Sequence, residues 1–286
     1  MISTENEGPM ANVDPKTIHG FGLQWRDFNQ VDAPSSELEK IFDKYFDQFP
    51  WKLIDQNSIG LDAGCGSGRW AMFVAPRVGK LVCVDASPGA AAVAQERLRS
   101  FTNCEVHVSA LEDTPMADNS LDFAYCLGVL HYVPDPEAAL AAIVRKLKPG
   151  APLLVYVYYA LENRPIWFRS AWRAVDLVRR GIARTPYRLR RWLSEVIAIL
   201  VYLPLARISN VLERLGFGVD GIPLCAYRDR SFYTMRTDCL DRFGNHLEHR
   251  FTRQQLFDLL KDCGLSDITI PEDEPYWRAI ALRAAS

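Results

Sequence analysis

The segment GLDAGCGSGRW (Gly60 to Trp70) combines an acid with three glycines that alternate along a short loop. The glycines are Gly64, Gly66 and Gly68. Glycine adopts positive φ and has no Cβ, so such a loop lets a ligand approach the backbone closely. Asp85 ends the next apolar stretch, about 20 residues downstream, which is the offset of an acid that binds ribose hydroxyls. The spacing therefore predicts a site for a cofactor that contains ribose.

The order of the glycines separates two kinds of cofactor. A dinucleotide site needs G-x-G-x-x-G, so that a helix N-terminus receives the pyrophosphate. Here the order is G-x-G-x-G, and Arg69 stands where the third glycine of the dinucleotide pattern would be. Asp62, before the first glycine, would repel a phosphate but could orient an ammonium through the loop or water. The pattern favours S-adenosylmethionine and disfavours an NAD-linked oxidoreductase, which remains the alternative enzyme.

Strands and helices alternate around this loop. Five apolar stretches read as strands, and they are SIGLDA, KLVCVDAS, CEVHVSA, LDFAYCLG and APLLVYVYYA. Amphipathic stretches between them have helix-capping residues, for example Asp135 before PEAALAAIVRKL. Such alternation predicts an α/β protein with a doubly wound parallel sheet, because the crossover connections are right-handed. Ligands of such sheets bind at the carboxyl ends of the strands, where the glycine loop lies.

Four stretches together resemble a known family. GLDAGCGSGRW resembles motif I of the class I S-adenosylmethionine-dependent methyltransferases of small-molecule type, and VCVDAS resembles their post-I motif. SALEDTPMADNSLDFAYCLGVLHYVPDPEAAL and RKLKPGAPLLVYVY resemble later motifs of the same family. The resemblance covers about residues 55–160 well and 235–284 more loosely. It implies a Rossmann-like seven-stranded sheet whose last strand is antiparallel, with a helical insertion before the final strands.

The resemblance also implies roles for individual residues. The glycines of the loop lie against the cofactor together with their neighbours Asp62 and Cys65, and Asp85 binds the ribose. Ala86 and Leu111 flank the adenine, and Glu112 lies near its amino group. Leu127 and Gly128 sit under the methionine part. FGLQW (Phe21 to Trp25) is similar to an F-G-x-x-W segment of some relatives, which implies that Trp25 closes over the cofactor.

Histidines and arginines are candidates for the acceptor side of the site. His131 follows the fourth strand and could act as a general base near the methyl group, or pin the loop as a structural residue. His246 and His249 have an i, i+3 spacing that could suit a metal on a helix, but no third ligand is evident. No metal is therefore expected. The candidates for the acceptor pocket are Tyr132, Arg169, Arg173, His246 and His249.

The rhythm of strands and helices predicts four segments. They are a mobile tail (1–17), the N-terminal helices and cofactor-binding core (18–160), a helical insertion rich in arginine and aromatic residues (161–235), and a C-terminal helix with the last two strands (236–286). The longest apolar run, near Val196 to Ala206, is shorter than the roughly 20 residues that span a bilayer.

The insertion has three interpretations. Apolar residues recur at helical spacing along residues 168–182, while Arg169, Arg173, Arg180 and Arg184 fall on a different face. This can be the solvated basic face of a packed structural cap. Alternatively, the arginines can clamp an anionic acceptor, or the basic stripe can lie on an anionic membrane and take a lipid-linked acceptor.

Composition restricts the remaining functions. The net charge is −2 and the chain has seven cysteines with no C-x-x-C, which favours reduced thiols and a cytoplasmic protein without a zinc site. The net charge does not call for a nucleic acid as partner. No N-P-P-Y-type tetrapeptide, which would suggest a nucleic-acid substrate, follows the fourth strand; the sequence there is CLGVLHY. The sequence therefore predicts a methyltransferase for a small-molecule acceptor. A catalytically idle cofactor-binding protein that acts through a partner is the alternative, and the atom that is methylated, O, N or C, stays open.

Overall fold

The computed structural model describes residues 10–30, 32–162, 164–219, 221–271 and 276–285. Its chain divides into two compact units, one of residues 1–29, 41–163 and 247–286, and one of residues 30–40 and 164–246. The first unit is built on a seven-stranded sheet of order β3-β2-β1-β4-β5-β7-β6. The strands are β1 (Ile59–Ala63), β2 (Lys80–Asp85), β3 (Cys104–Val108), β4 (Phe123–Leu127), β5 (Pro152–Val157), β6 (Leu265–Thr269) and β7 (Trp277–Arg283).

The sheet is parallel except at one position. β1 to β5 pair in parallel, and β7 pairs antiparallel with both β5 and β6. The order reverses at β1 and β4, so their carboxyl ends form the crevice in which doubly wound sheets bind ligands. The predicted fold, with its antiparallel last strand and a helical insertion before the final strands, is confirmed.

Helices cover both faces of this sheet. They are α1 (Pro15–Asp27), α2 (Ser35–Phe46), α3 (Ala71–Val74), α4 (Pro88–Leu98), α5 (Pro136–Lys146) and α10 (Arg253–Asp262). One buried cluster joins the sheet to α5 and α10, and a second joins it to α3, α4 and the second half of α2. Capping explains where several helices begin, since Asp135 accepts from the backbone of α5 and Thr252 forms a capping box with Gln255 on α10.

The second unit is helical. It contains α6 (Ile166–Ala183), α7 (Tyr187–Ile197), α8 (Leu203–Arg214) and α9 (Phe232–Gly244). Its core is a small cluster that includes Ala198, Tyr202, Ala206, Met235 and Phe243. Buried Arg179 donates to the backbone oxygen of Asn245 at 2.7 Å, which fixes α6 to the end of α9.

Three details differ from the sequence-based expectations. α1 begins at Pro15 with Asp14 as its N-cap, inside the stretch predicted as a mobile tail, of which residues 1–9 lie outside the described part. The second unit extends to His246, so α9 belongs to it and the predicted boundary at 235 falls within this helix. The helix predicted after the glycine loop is one turn, followed by a 3-10 turn at Ala75–Arg77.

A fourth difference concerns the apolar run near residue 200. α7, a π-helical turn at Ala198–Tyr202 and α8 join into one helix, Tyr187–Arg214, of 28 residues. This helix is long and apolar enough to cross a membrane by length and composition. The expectation that the segment is too short considered only the uninterrupted apolar run, whereas the continuous helix adds a turn or more at each end.

Candidate functional site

The glycine loop has the backbone conformation that its sequence predicts. Gly64, Gly66 and Gly68 all have positive φ, between 55° and 83°. The N–H groups of Gly64 and Cys65 both donate to the backbone oxygen of Val84, at 2.8 and 2.9 Å, which ties the loop to the end of β2. A Cβ built on Gly64 would lie 2.2 Å from Val129, so any side chain there would collide with the chain after β4. The loop therefore needs glycine at this position for space as well as for φ.

Asp85 lies beside this loop and holds it. Its Oδ2 accepts from the N–H of Gly66 at 2.9 Å, and its Oδ1 accepts from the N–H of Ser87 at 2.8 Å. Each carboxylate oxygen has a second lone pair, so two further donors, such as ribose hydroxyls, can be accommodated. Burial raises the pKa of Asp85 to about 6, and the bonds from Ser87 and Gly66 partly oppose this rise. The geometry fits the predicted ribose-binding role.

Asp62, before the first glycine of the loop, is buried. Its carboxylate is buried and accepts from the hydroxyl of Tyr125 at 2.9 Å. Burial raises the pKa of Asp62 to about 7, and the tyrosine bond lowers it by a smaller amount. The carboxylate is therefore engaged by Tyr125, and its orientation of a bound ammonium through the loop or water stays a prediction. Burial also raises the pKa of the Cys65 thiol well above its usual value, which disfavours a nucleophilic thiolate.

Trp25 lies against the glycine loop. α1 crosses α4 where two glycines meet, since a Cβ on Gly89 would lie 2.9 Å from the Cα of Gly22. One turn further along α1, the Trp25 indole lies 3.1 Å from the position of a Cβ on Gly66. The Arg69 guanidinium lies 5.3 Å from the centre of a Trp25 ring. The close crossing thus puts Trp25 on the loop, where the resemblance places the cofactor.

The predicted adenine side contains an unpredicted residue. Leu111 is buried and Glu112 is half-buried at the carboxyl side of β3, while Ala86 directly follows Asp85. Asn12 donates through its side-chain amide to Glu112 Oε1 at 2.6 Å and to the backbone oxygen of Asp135 at 2.7 Å. No local signal in the sequence could reveal this contact, because it joins residues that are 100 positions apart.

Tyrosines surround the other end of the site. Gly128, with φ of 82°, follows Leu127 at the end of β4, and the Tyr156 ring lies 3.9 Å from the position of a Cβ on Gly128. The Tyr156 ring is 5.1 Å from that of Tyr45 and 5.0 Å from that of Tyr276. Tyr132 and Tyr158 continue the group, with ring centres 5.8 Å apart. We call these five residues the tyrosine cluster; the sequence analysis singled out only Tyr132.

His131 is enclosed by this cluster. Its ring is fully buried, 4.1 Å from the Tyr158 ring and 4.3 Å from the Tyr132 ring. Among the described residues, neither ring nitrogen has a hydrogen-bond partner. Burial, with smaller contributions from Arg250 and His249, lowers the pKa of His131 well below its usual value. The imidazole is therefore neutral at pH 7. Its enclosure and weak basicity favour a packing role, and the general-base role stays a prediction.

The remaining acceptor candidates do not share one unit. Arg169, Arg173 and His246 belong to the second unit, and both arginines are exposed. His249 belongs to the first unit, where its N–H donates to the backbone oxygen of His131 at 2.8 Å. The segment that holds both histidines is irregular, so the helical i, i+3 spacing considered for a metal is wrong. Among the described residues, no group of three His, Cys, Asp or Glu side chains could hold a metal ion.

The comparison with protein families decides the identity. Residues 61–155, from β1 to β5, match the family model described as a methyltransferase domain. The chain therefore contains a methyltransferase domain of the S-adenosylmethionine-dependent type. Its cofactor is S-adenosylmethionine, and the residues of the loop, Asp85 and Trp25 fit this group. The match covers the strands that carry the glycine loop, Asp85 and Gly128.

Individual relatives extend the comparison. The methyltransferase is 37% identical to an uncharacterized protein of Synechococcus over 45% of its own length, but spans only 31% of that protein. It is 26% identical to a ubiquinone biosynthesis O-methyltransferase of Xanthomonas oryzae, over 83% of this chain and 96% of the relative. A chain of the solved complex between the Haloferax volcanii Trm112 methyltransferase activator and a putative methyltransferase superposes with a TM-score of 0.52. That chain is 15% identical, with 93% of this chain and 98% of that chain covered, and it shows the fold alone.

Proposed function

We propose that the methyltransferase methylates a hydroxyl group of a small-molecule acceptor that binds against the tyrosine cluster. The observation that carries the proposal is the position of Tyr156, which packs beside Gly128 at the carboxyl ends of β4 and β5. Gly128 is the residue that the family resemblance places under the methionine part of the cofactor. Relatives named ubiquinone biosynthesis O-methyltransferases, 26% identical over most of the chain, support oxygen as the methylated atom.

Alignment is the main contribution expected of this site. Bound S-adenosylmethionine supplies a reactive methyl group on a sulfonium centre. Holding the acceptor in line with that group can lower the barrier by roughly 7–11 kcal/mol. Tyrosine suits this task, because its ring offers a flat apolar surface and its hydroxyl can orient a polar group. The mutual ring contacts of Tyr45, Tyr156 and Tyr276 restrict their rotation and so keep the proposed acceptor surface in one shape.

The charge and size of the acceptor form a finer part of the proposal. We infer an acceptor that is anionic or carries an apolar tail, as the basic and apolar residues of the second unit suggest. Arg169, Arg173 and Arg184 are exposed and form no ion pair within the described part of the chain, whereas Arg180 pairs with Asp176 at 2.7 Å. Arginines without an acidic partner are available to a carboxylate or phosphate, which they bind with two parallel hydrogen bonds.

A screen with a labelled methyl donor tests the function. S-adenosylmethionine with a trideuterated methyl group is incubated with the protein and a panel of simple phenols, carboxylated phenols, long-chain alkylated phenols and amines. Mass spectrometry then detects the labelled product. We expect label on a phenol, with carboxylated or alkylated members preferred. Label on an amine alone would contradict O-methylation, and preference for the simple phenols would contradict the finer proposal.

Variants of Tyr156 test the acceptor surface. Tyr156→Ala removes the ring and is expected to lower kcat/KM for the accepted phenol about tenfold or more, because a buried aromatic contact contributes about 1.5–3 kcal/mol. Tyr156→Phe keeps the ring and serves as the matched control, with a smaller loss. Affinity for S-adenosylhomocysteine should stay unchanged in both. An equal loss of cofactor affinity in Tyr156→Ala would place Tyr156 on the cofactor side instead.

His131→Ala decides between the two roles of this residue. As a general base, His131 would contribute about 10²–10⁴-fold to kcat without affecting cofactor affinity. As a packing residue it would mainly stabilise the fold, so thermal stability falls and kcat per folded molecule changes less than about fivefold. We expect the second result. His131→Gln, which keeps more of the volume, provides a folded variant if alanine is too destabilising.

A further inference from the structure

The helix Tyr187–Arg214 packs into the second unit through one face, whose buried side chains are those of serine, alanine and one tyrosine. The buried residues along it recur every three or four positions, and they are Ser194, Ala198, Tyr202, Ala206 and Ser209. Each is 2% exposed or less. These residues face the cluster that α9 completes with Met235, Cys239 and Phe243. The core of the second unit is thus built from one side of the helix only.

The other side of the same helix is apolar and exposed. Eight large apolar residues between positions 189 and 215 are exposed, and six of them are spaced by three, four or eight positions, which keeps these six near one helical face, while Ile199 and Val201 lie on either side of it. The six are Leu189, Trp192, Leu200, Ile208, Val211 and Leu215, where Leu215 directly follows the last helical residue. Their side chains are between 45% and 68% exposed. We call these six residues the outer face. A contiguous apolar face of this kind is unusual on a water-exposed surface and marks an interaction site.

Charges on this helix are predominantly positive. Residues 187–214 contain five arginines and two glutamates. Both glutamates are engaged by arginines of other segments, since Glu195 pairs with Arg236 at 3.7 Å and Glu213 pairs with Arg228 at 2.7 Å. Arg188 and Arg214, near the two ends, form no ion pair within the residues that the structure describes and are exposed. The outer face is therefore bordered by positive charge at both ends.

We propose that the outer face is a docking surface for a membrane with anionic lipid headgroups, on which the helix lies in the plane of the interface. This inference concerns binding alone and goes beyond the proposed methyl transfer. Apolar side chains of such a helix enter the boundary between headgroups and acyl chains, and flanking arginines bind the phosphates. The charge pattern selects this partner, because acidic headgroups complement the arginines at both ends.

Two other occupants are disfavoured by the same observations. A second copy of the chain, docked about a twofold axis, would bring the same arginine-bordered surface against itself and juxtapose like charges. A transmembrane span would expose the helix to lipid on all sides, whereas Ala198, Tyr202 and Ala206 are already covered by the core of the second unit. The one-sided exposure fits a helix that lies on the membrane.

Vesicle flotation with the full-length protein, without cofactor, tests the docking surface. The probes are vesicles of phosphatidylcholine alone and of an equimolar mixture of phosphatidylcholine and phosphatidylglycerol. We expect binding to the mixed vesicles that weakens as salt is raised. Trp192→Asp combined with Leu200→Asp should reduce the partition coefficient at least about tenfold, because the apolar burial is lost. Leu53→Asp, which changes a 58% exposed leucine of the first unit, is the matched control and should bind normally.

Arginine variants test the charge requirement separately. Arg188→Gln and Arg214→Gln should each weaken binding to the mixed vesicles about fivefold, the effect of one basic residue near an anionic surface. Arg99→Gln, which changes an exposed arginine directly after α4, should have no effect. Thermal unfolding of each variant confirms that it is folded. Because no methyl acceptor is involved, failure of the proposed function would leave this result unaffected.

Three results would overturn the proposal. The first is absence of binding to both kinds of vesicle by the folded wild-type protein. The second is a protein that does not bind vesicles but forms a concentration-dependent dimer in light scattering, where the combined Trp192→Asp and Leu200→Asp changes abolish the dimer. The third is resistance of the membrane-bound protein, expressed in cells, to extraction with alkaline carbonate, which would indicate that the helix spans the bilayer.

Discussion

Replacement of Asp85 by alanine is expected to weaken binding of S-adenosylhomocysteine about 10- to 100-fold. Each carboxylate oxygen of Asp85 already accepts one backbone N–H, from Gly66 or from Ser87. Each keeps one lone pair for a ribose hydroxyl. A hydrogen bond to a charged acceptor contributes about 1.5–3 kcal/mol, and about 1.4 kcal/mol corresponds to a tenfold change in affinity. The lower end of the range applies if water partly replaces the carboxylate.

The pH dependence of binding provides a second, independent measurement. Burial raises the pKa of Asp85 to about 6 in the free protein. Donors from a bound ribose would stabilise the carboxylate and lower this pKa, so binding releases a proton near pH 6. The affinity of the wild-type protein should therefore fall as the pH drops through about 6, by at most about tenfold per pH unit. In Asp85→Ala, this part of the pH dependence should disappear.

Isothermal titration calorimetry with S-adenosylhomocysteine measures both effects. Asp43→Ala, which removes an exposed acid on α2, controls for the loss of one negative charge. Circular dichroism and thermal unfolding establish that each variant is folded. A dissociation constant that does not change in folded Asp85→Ala would remove Asp85 from the cofactor site and refute the reasoning. A wild-type affinity that is constant through pH 6 would contradict the assignment of the raised pKa to a ribose-binding carboxylate.

Three further predictions concern residues of the first unit, and one of them has its control in the second unit. Trp25→Ala should weaken S-adenosylhomocysteine binding about tenfold, because the indole lies on Gly66; a lower melting temperature with unchanged affinity in calorimetry would show a packing role alone. Gly89→Ala should destabilise the protein by about 1–3 kcal/mol, since its Cβ would lie 2.9 Å from the backbone of α1. Gly181→Ala on helix α6 is the control, because a Cβ at this position would have no neighbouring atom within 4 Å; this change should be neutral or stabilise the protein by up to about 1 kcal/mol. Equal effects of the two glycine changes on the free energy of unfolding, measured by chemical denaturation, would contradict the close crossing of α1 and α4. Asp62→Asn keeps an acceptor for the Tyr125 hydroxyl but removes a carboxylate whose pKa burial raises to about 7. Because the cost of that buried charge is absent below the unfolded pKa and complete above about pH 7, the variant should gain stability over wild type as the pH rises, by at most about 4 kcal/mol. A stability gain that is the same in melting curves at low and high pH would contradict this prediction.

The cofactor site could be predicted because its signals are local. The glycines of the loop, with their alternation, sit within five residues of one another, and Asp85 follows after one short helix and one strand. In a parallel sheet, the ends of consecutive strands meet at one edge, so spacing along the chain translates into proximity in space. The doubly wound parallel sheet follows similarly from the alternation of strands and helices with right-handed connections, whereas the antiparallel last strand was implied only by the family resemblance.

Residues brought together from distant segments could not be predicted in this way. The tyrosine cluster joins α2, the segment after β4, β5 and the segment before β7, and nothing in the spacing of its members along the chain marks them as neighbours. Asn12 reaches Glu112 for the same reason. His131 looked like a candidate base in the sequence, and only its enclosure between Tyr132 and Tyr158 shows that its imidazole is buried and weakly basic.

The second unit shows most clearly which features the sequence determines and which only the tertiary structure determines. The sequence indicated a helical insertion over residues 161–235, rich in arginine and with an apolar run near Val196 to Ala206, because composition and periodicity are properties of the segment itself. It did not determine which apolar residues the protein keeps for its own core. Ala198 and Ala206 are buried while Leu200 and Ile208, only two positions away, are exposed. That choice depends on where α9 packs, since a helix buries the face against which another segment closes. The tertiary structure alone therefore decided that the larger apolar side chains point outward.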